Sequence, residues 1–203
     1  MKSKPKHTII YVTGLSDRNV KLQKIAVSSW RVFSINPILF QTNWADEKSF
    51  SEKLNRLIGI IDNLKAKGHK VSLIGASAGA SMVIAANARR SEKVSGIAFI
   101  CGKLRRPEAV GEQYYTENPS FRDAMKQLNT NVAKLNDREK AKIMSIAPLF
   151  DETVAKKDTY IRGVKNVVVP TLFHVPSIAL CISIFSFIPI FFLKRNIKKG
   201  RMK

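Results

Sequence analysis

Near the middle of the chain, Gly75-Ala76-Ser77-Ala78-Gly79 sets one serine between two glycines, where two local patterns meet. Val71 to Ile74 is a short apolar run with the character of a strand, and the alanine-rich stretch from Ala78 to Arg90 reads as a helix. A G-x-S-x-G sequence at a strand-to-helix turn holds its serine in a strained backbone conformation, exposed above the sheet. The glycines are needed because the tight turn brings neighbouring backbone too close for larger side chains. The following helix aims its N-terminal N–H groups at the site, where they favour developing negative charge. The chemistry this suits is nucleophilic attack by Ser77; a glycine-rich packing turn is the competing reading.

A serine needs a base to act as a nucleophile, and the chain has 3 histidines. His7 precedes the first strand. His69 precedes the strand that leads to Ser77, so it belongs at the opposite edge of the sheet. His174 follows Val167 to Phe173, at the C-terminal end of a strand. In a parallel sheet the C-terminal ends share one edge, so His174 is the histidine that can approach Ser77, unless it merely caps its strand. The base in turn needs an orienting carboxylate. Asp151 follows the strand Lys142–Ile146 on the same edge and precedes His174, giving the order Ser, Asp, His. Glu152 and Asp158 are rivals, and a helix-capping role for Asp151 is the alternative.

These residues require a scaffold of alternating strands and helices. Thr8–Val12 and Pro37–Gln41 are strand-like, and Val20–Phe33 carries apolar residues near helical spacing. Ser49-Phe50-Ser51-Glu52 is a capping-box pattern that opens an amphipathic helix through Leu54, Leu57, Ile58, Ile61 and Leu64. Val94–Cys101, Lys142–Ile146 and Val167–Phe173 complete a set of about six strands, mainly parallel, with helices on both faces. Lys103–Lys140 is polar and helical in character, with breakers at Pro107 and Pro119. The chain of 203 residues, 45% hydrophobic, is long enough for one core and short for two. Cys101 and Cys181 lie in apolar runs and read as buried free thiols, with neither disulfide nor zinc spacing.

Gly75 to Gly79, Pro148-Leu149-Phe150-Asp151-Glu152-Thr153-Val154 and Phe173-His174 together resemble the α/β-hydrolase superfamily in motif, order and spacing. The resemblance spans roughly Thr8 to Ile178. It implies a three-layer α/β sandwich, the family's sheet reduced to about six strands, with a Ser77-Asp151-His174 triad and no metal or organic cofactor. It further implies an oxyanion hole from the N–H groups of Leu15 and Ala78, although the family often carries His-Gly where this chain has Thr13-Gly14. Residues 104–140 fall where the family inserts a lid. There Phe121, Met125 and Leu128 either line an acyl pocket or pack a helix against the core, and packing is the stronger reading. Pro170 falls in the family's edge strand, where a missing N–H costs no ladder bond.

The hydrolase domain is thus expected over residues 1–178, followed by an apolar segment, 179–193, and a basic tail, 194–203. From Val175 to Leu193 the chain has no charge and is apolar all round, as in a buried helix or a membrane segment. Its length is close to the minimum for a transmembrane helix, and Pro189 would break a core helix but is tolerated in lipid. The basic character of both ends favours an insertion that leaves both on the cytosolic side. With 35 Lys+Arg against 15 Asp+Glu the net charge is +20, which suits an anionic membrane surface. No zinc-finger, RNP-like or helix-turn-helix pattern accompanies it to support nucleic-acid binding. No secretory signal pattern opens the chain. The expectation is a cytoplasmic, membrane-associated serine hydrolase acting on small or lipid-like carboxylic esters. The alternative is a catalytically inactive, membrane-tethered binding protein of the same fold.

Overall fold

The computed structural model describes residues 6–15 and 17–199. Residues 1–5 of the basic start and 200–203 of the basic tail lie outside the described residues. Six strands form one parallel sheet in the order β2-β1-β3-β4-β5-β6. They are β1 (His7–Val12), β2 (Asn36–Phe40), β3 (Lys70–Ala76), β4 (Val94–Ile100), β5 (Ile143–Phe150) and β6 (Lys165–Leu172). Each falls on a run identified in the sequence, because central strands of a parallel sheet bury both faces and read as continuous apolar segments.

Residues alternate between the two faces. Ile10, Val12, Leu73, Ile97 and Phe99 join one core layer, whereas Ile9, Tyr11, Ile74, Ala98 and Ile100 join the other. The first layer is covered by α2 (Phe50–Ala66) and α3 (Gly79–Arg90). Ser49 and Glu52 form the complete capping box that opens α2. Leu54, Leu57, Ile58 and Ile61 bury its inner stripe, at about 1.5–3 kcal/mol for each aliphatic side chain. The second layer is covered by α1 (Lys21–Ser29), α9 (His174–Ile182) and α10 (Phe187–Lys199).

Between β4 and β5 lie a short 3₁₀ turn at Pro107–Ala109 and the helices α4 (Glu112–Glu117), α5 (Pro119–Lys126), α6 (Leu128–Ala133) and α7 (Asp137–Lys140). Pro107 and Pro119 each sit at the start of a helical turn, where the missing N–H is not needed. Phe121, Met125 and Leu128 are buried in the first core layer, and Phe121 also reaches the space beside Ser77. A short α8 (Lys156–Thr159) precedes β6. β5 runs past Ile146 to Phe150, and its register with β6 shifts between Pro148 and Phe150. β6 pairs only with β5, so Pro170 does lie in an edge strand.

The C-terminal apolar run departs from expectation. It folds as two helices, α9 and α10, bent by 53° at a break of a few residues. No single helix among the described residues is long and apolar enough to cross a membrane, and by length and composition only the bent pair of α9 and α10 together reaches that size. Cys181, Ile182, Ile190 and Leu193 are buried against the sheet. Pro189 does not break a core helix, because it falls in the first turn of α10, where no intrahelical donor is lost.

Candidate active site

Ser77 occupies the turn between β3 and α3 with φ of +50°, a left-handed conformation that non-glycine residues rarely adopt. Its N–H donates to the Ile100 carbonyl at 2.9 Å, which ties the turn to the neighbouring strand. The glycines are a steric necessity. A Cβ on Gly75 would lie 2.7 Å from the Gly79 carbonyl oxygen, and one on Gly79 would lie 2.4 Å from that of Val12.

His174 opens α9, just beyond the end of β6, and Asp151 follows β5 on the same sheet edge. His174 Nε2 lies 2.9 Å from Ser77 Oγ, and Nδ1 lies 2.8 Å from Asp151 Oδ2. An ionised carboxylate only accepts hydrogen bonds, so Nδ1 carries the proton and Nε2 accepts from the serine hydroxyl. Asp151 Oδ1 accepts from the Val154 and Thr153 N–H groups at 2.7 and 2.9 Å. Burial pushes the Asp151 carboxyl up, but the bonds from His174, Val154 and Thr153 outweigh it and hold the group below the usual carboxylate range.

The rivals occupy other places. Asp158 is buried and paired with Lys103 Nζ at 2.7 Å and with the Arg106 guanidinium. Glu152 accepts the main-chain N–H of His174 at 2.9 Å, placing a carboxylate at the N-terminus of α9. His7 bonds Ser72, and His69 bonds Thr8, both at the N-terminal edge of the sheet.

The Thr13-Gly14-Leu15 loop crosses in front of Ser77; a Cβ on Gly14 would come within 3.0 Å of the serine Cβ. Several bonds pin this loop. Thr13 Oγ1 donates to the buried carboxylate of Asp17 at 2.9 Å, Asn43 N–H donates to the same oxygen, and Trp44 Nε1 donates to the Thr13 carbonyl at 3.0 Å. Among the described residues, neither the Leu15 nor the Ala78 N–H donates a hydrogen bond, and both residues line the space at Ser77.

Two cavities meet at the serine. One of about 430 Å³ lies between α1 and α9, lined by Leu22, Gln23 and Ala26 on one side and by Val175, Ile178 and Ala179 on the other. A smaller one of about 70 Å³ is lined by Lys103, Val110, Gly111, Tyr114 and Phe121. The sequence reading did not single out α1 and α9 as cavity walls. The small residues Ala26 and Ala179 on facing helices are the trace it offered.

Cys101 adds a third potential ligand atom beside Asp151 and His174, all within 4.8 Å of one another. Burial pushes its thiol far up, so metal binding there would require deprotonating it and breaking the His174 pairs.

No protein-family model and no curated protein sequence matches the chain. Solved structures do. A structure from work on LipS and LipT, two metagenome-derived lipolytic enzymes, superposes with a TM-score of 0.70 at 10% identity, covering 98% of this chain and 95% of that one. A structure from work on carboxylesterases of the thaumarchaeon Nitrososphaera gargenis gives 0.69 at 13% identity, covering 97% and 92%. The monoacylglycerol lipase of Paleococcus ferrophilus gives 0.59 at 14% identity, covering 94% and 96%. With its parallel six-stranded sheet between two helical layers, the chain has the α/β-hydrolase fold.

Proposed function

We propose that the protein is a serine hydrolase of carboxylic esters, with Ser77, His174 and Asp151 as its triad. The observation that carries the reading is the continuous hydrogen-bond chain Ser77–His174–Asp151, opening onto a substrate-sized apolar cavity. Ser77 Oγ attacks the ester carbonyl carbon while His174 Nε2 takes its proton. The N–H groups of Leu15 and Ala78 receive the charge that develops on the carbonyl oxygen. The bond to the alcohol then breaks, and the alcohol oxygen takes the proton from Nε2. Water repeats the sequence on the acyl-enzyme and releases the acid. Asp151 stays ionised throughout, holding the imidazole in the required tautomer and stabilising the imidazolium.

We further propose that the enzyme works at an anionic membrane surface. Leu22, Ile25, Val175 and Ile184 are 82%, 68%, 65% and 68% exposed, and Leu22 and Val175 also line the large cavity. Lys21, Lys24 and Arg31 are exposed nearby in sequence. No acidic residue occurs between Asp17 and Asp46, or after Asp158. Apolar side chains framed by unopposed positive charge suit the interface of an anionic bilayer.

The hydrolase reading is tested by labelling the purified protein with a fluorophosphonate probe. Labelling of wild type that is lost in Ser77→Ala and strongly reduced in His174→Ala is the expected result. A folded wild type that takes up no probe would instead favour a tethered binding protein that does no chemistry.

A further inference from the structure

The two cavities at Ser77 differ in size and in which of them reaches the histidine. His174 lines the 430 Å³ cavity between α1 and α9 and does not line the 70 Å³ one. Ser77, Leu15, Tyr114 and Thr153 line both. Ala78, which supplies the other oxyanion N–H, lines only the small one.

Ester cleavage ties each half of the substrate to one of these partners. The alcohol oxygen must lie within hydrogen-bond reach of His174 Nε2, because it leaves with that proton. The acyl group extends from the same carbonyl carbon in another direction, beside the N–H groups that hold the carbonyl oxygen. The alcohol portion therefore belongs in the cavity that contains His174, and the acyl portion in the one beside Ala78.

Resting on the triad reading above, we infer that the preferred substrate is an ester of a short acyl group with a long apolar alcohol. The cavity of about 70 Å³ beside Ala78 offers several-fold less space than the one of about 430 Å³ beside His174. That suits a short acyl group such as acetyl or propionyl, with Lys103, Val110 and Phe121 among its walls. The larger cavity follows one face of α9, past Val175, Ile178, Ala179, Ile182 and Ser183. From His174 to Ser183 that face extends ~13 Å at the helical rise per residue, the length of a medium alkyl chain. Ala26 and Ala179 leave the space open from the two sides. The exposed Leu22 and Val175 on the same walls offer an apolar path for the chain to enter from a lipid surface.

Octyl acetate and ethyl octanoate test this directly, because they are isomers that differ only in which half is long. Hydrolysis is followed by titration of the released acid, alongside fluorophosphonate labelling of the same preparations. Octyl acetate is expected to have a kcat/KM at least tenfold higher. Ala179→Leu, and independently Ala26→Leu, should each lower the ratio of octyl acetate to ethyl acetate hydrolysis about tenfold or more. Either filling variant suffices if the other fails to fold. Equal or reversed preference in a protein that labels at Ser77 overturns the assignment of the cavities and leaves the hydrolase standing. Labelling without hydrolysis of either isomer overturns the substrate class. Absence of both labelling and hydrolysis overturns the nucleophile and this inference with it.

Discussion

Two neighbouring carboxylates serve the same histidine in different ways. Asp151 meets the ring at Nδ1, whereas Glu152 meets the main-chain N–H of the same residue. Asp151→Asn keeps the shape but favours the wrong tautomer, and should lower kcat by about three to four orders of magnitude. Glu152→Gln retains an acceptor for the N–H and loses only the charge at the α9 N-terminus. It should lower kcat tenfold at most, with KM little changed. Steady-state kinetics on one p-nitrophenyl ester separates the two, and equal losses would show that the ring has no special dependence on Asp151. In the sequence these carboxylates and Asp158 were rivals separated by a few positions. What removes Asp158 is its pairing with Lys103 and Arg106, brought from the far side of four helices. That long-range contact leaves no local signature.

At the scale of elements, the strands and the serine turn were readable because the constraints on them are local. Buried parallel strands demand apolar runs, the capping box demands Ser and Glu at fixed spacing, and the turn demands glycine. The turn yields a matched pair of predictions. Gly79→Ala would drive its Cβ into the Val12 and Thr13 carbonyls, pushing α3 away from β1. A loss of about 2–3 kcal/mol is expected, lowering Tm by roughly 4–12 °C for a chain of this size. Gly59→Ala, on the exposed face of α2 with nothing within 4 Å of the added Cβ, should raise stability by up to about 1 kcal/mol. Thermal unfolding compares them, and a neutral Gly79→Ala would contradict the packing of the turn. The C-terminal run was less legible, since an apolar stretch reads alike whether protein or lipid covers it. Its break carries a weak signal in retrospect: the Ser183 and Ser186 hydroxyls bond back to the Ala179 and Ser183 carbonyls, a local alternative to helix continuation.

The whole molecule responds to pH through groups far from the serine. Burial, reinforced by the Lys194 charge, lowers the His7 pKa to about 4 from 6.5. The unfolded chain binds this proton near 6.5 and the folded one only near 4, so stability falls as pH drops through that window. The loss is of order 3 kcal/mol, and His7→Gln should flatten that limb when urea unfolding is followed from pH 7 down to about pH 4. The surface charge has its own consequence. Lys21, Lys24 and Arg31 each contribute about 1 kcal/mol near an anionic bilayer, and insertion of Leu22, Ile25 and Ile184 adds an apolar term that salt does not screen. Cosedimentation should therefore show binding to phosphatidylglycerol vesicles, weaker binding to phosphatidylcholine, and partial loss as salt shortens the Debye length. Ile25→Asp with Ile184→Asp should weaken the salt-resistant part by tenfold or more, because both side chains are exposed and neither supports the core. If binding vanished entirely in high salt and ignored these substitutions, the charge alone would be acting. The exposed apolar side chains Ile25 and Ile184 would then have no part in holding the enzyme at a lipid surface.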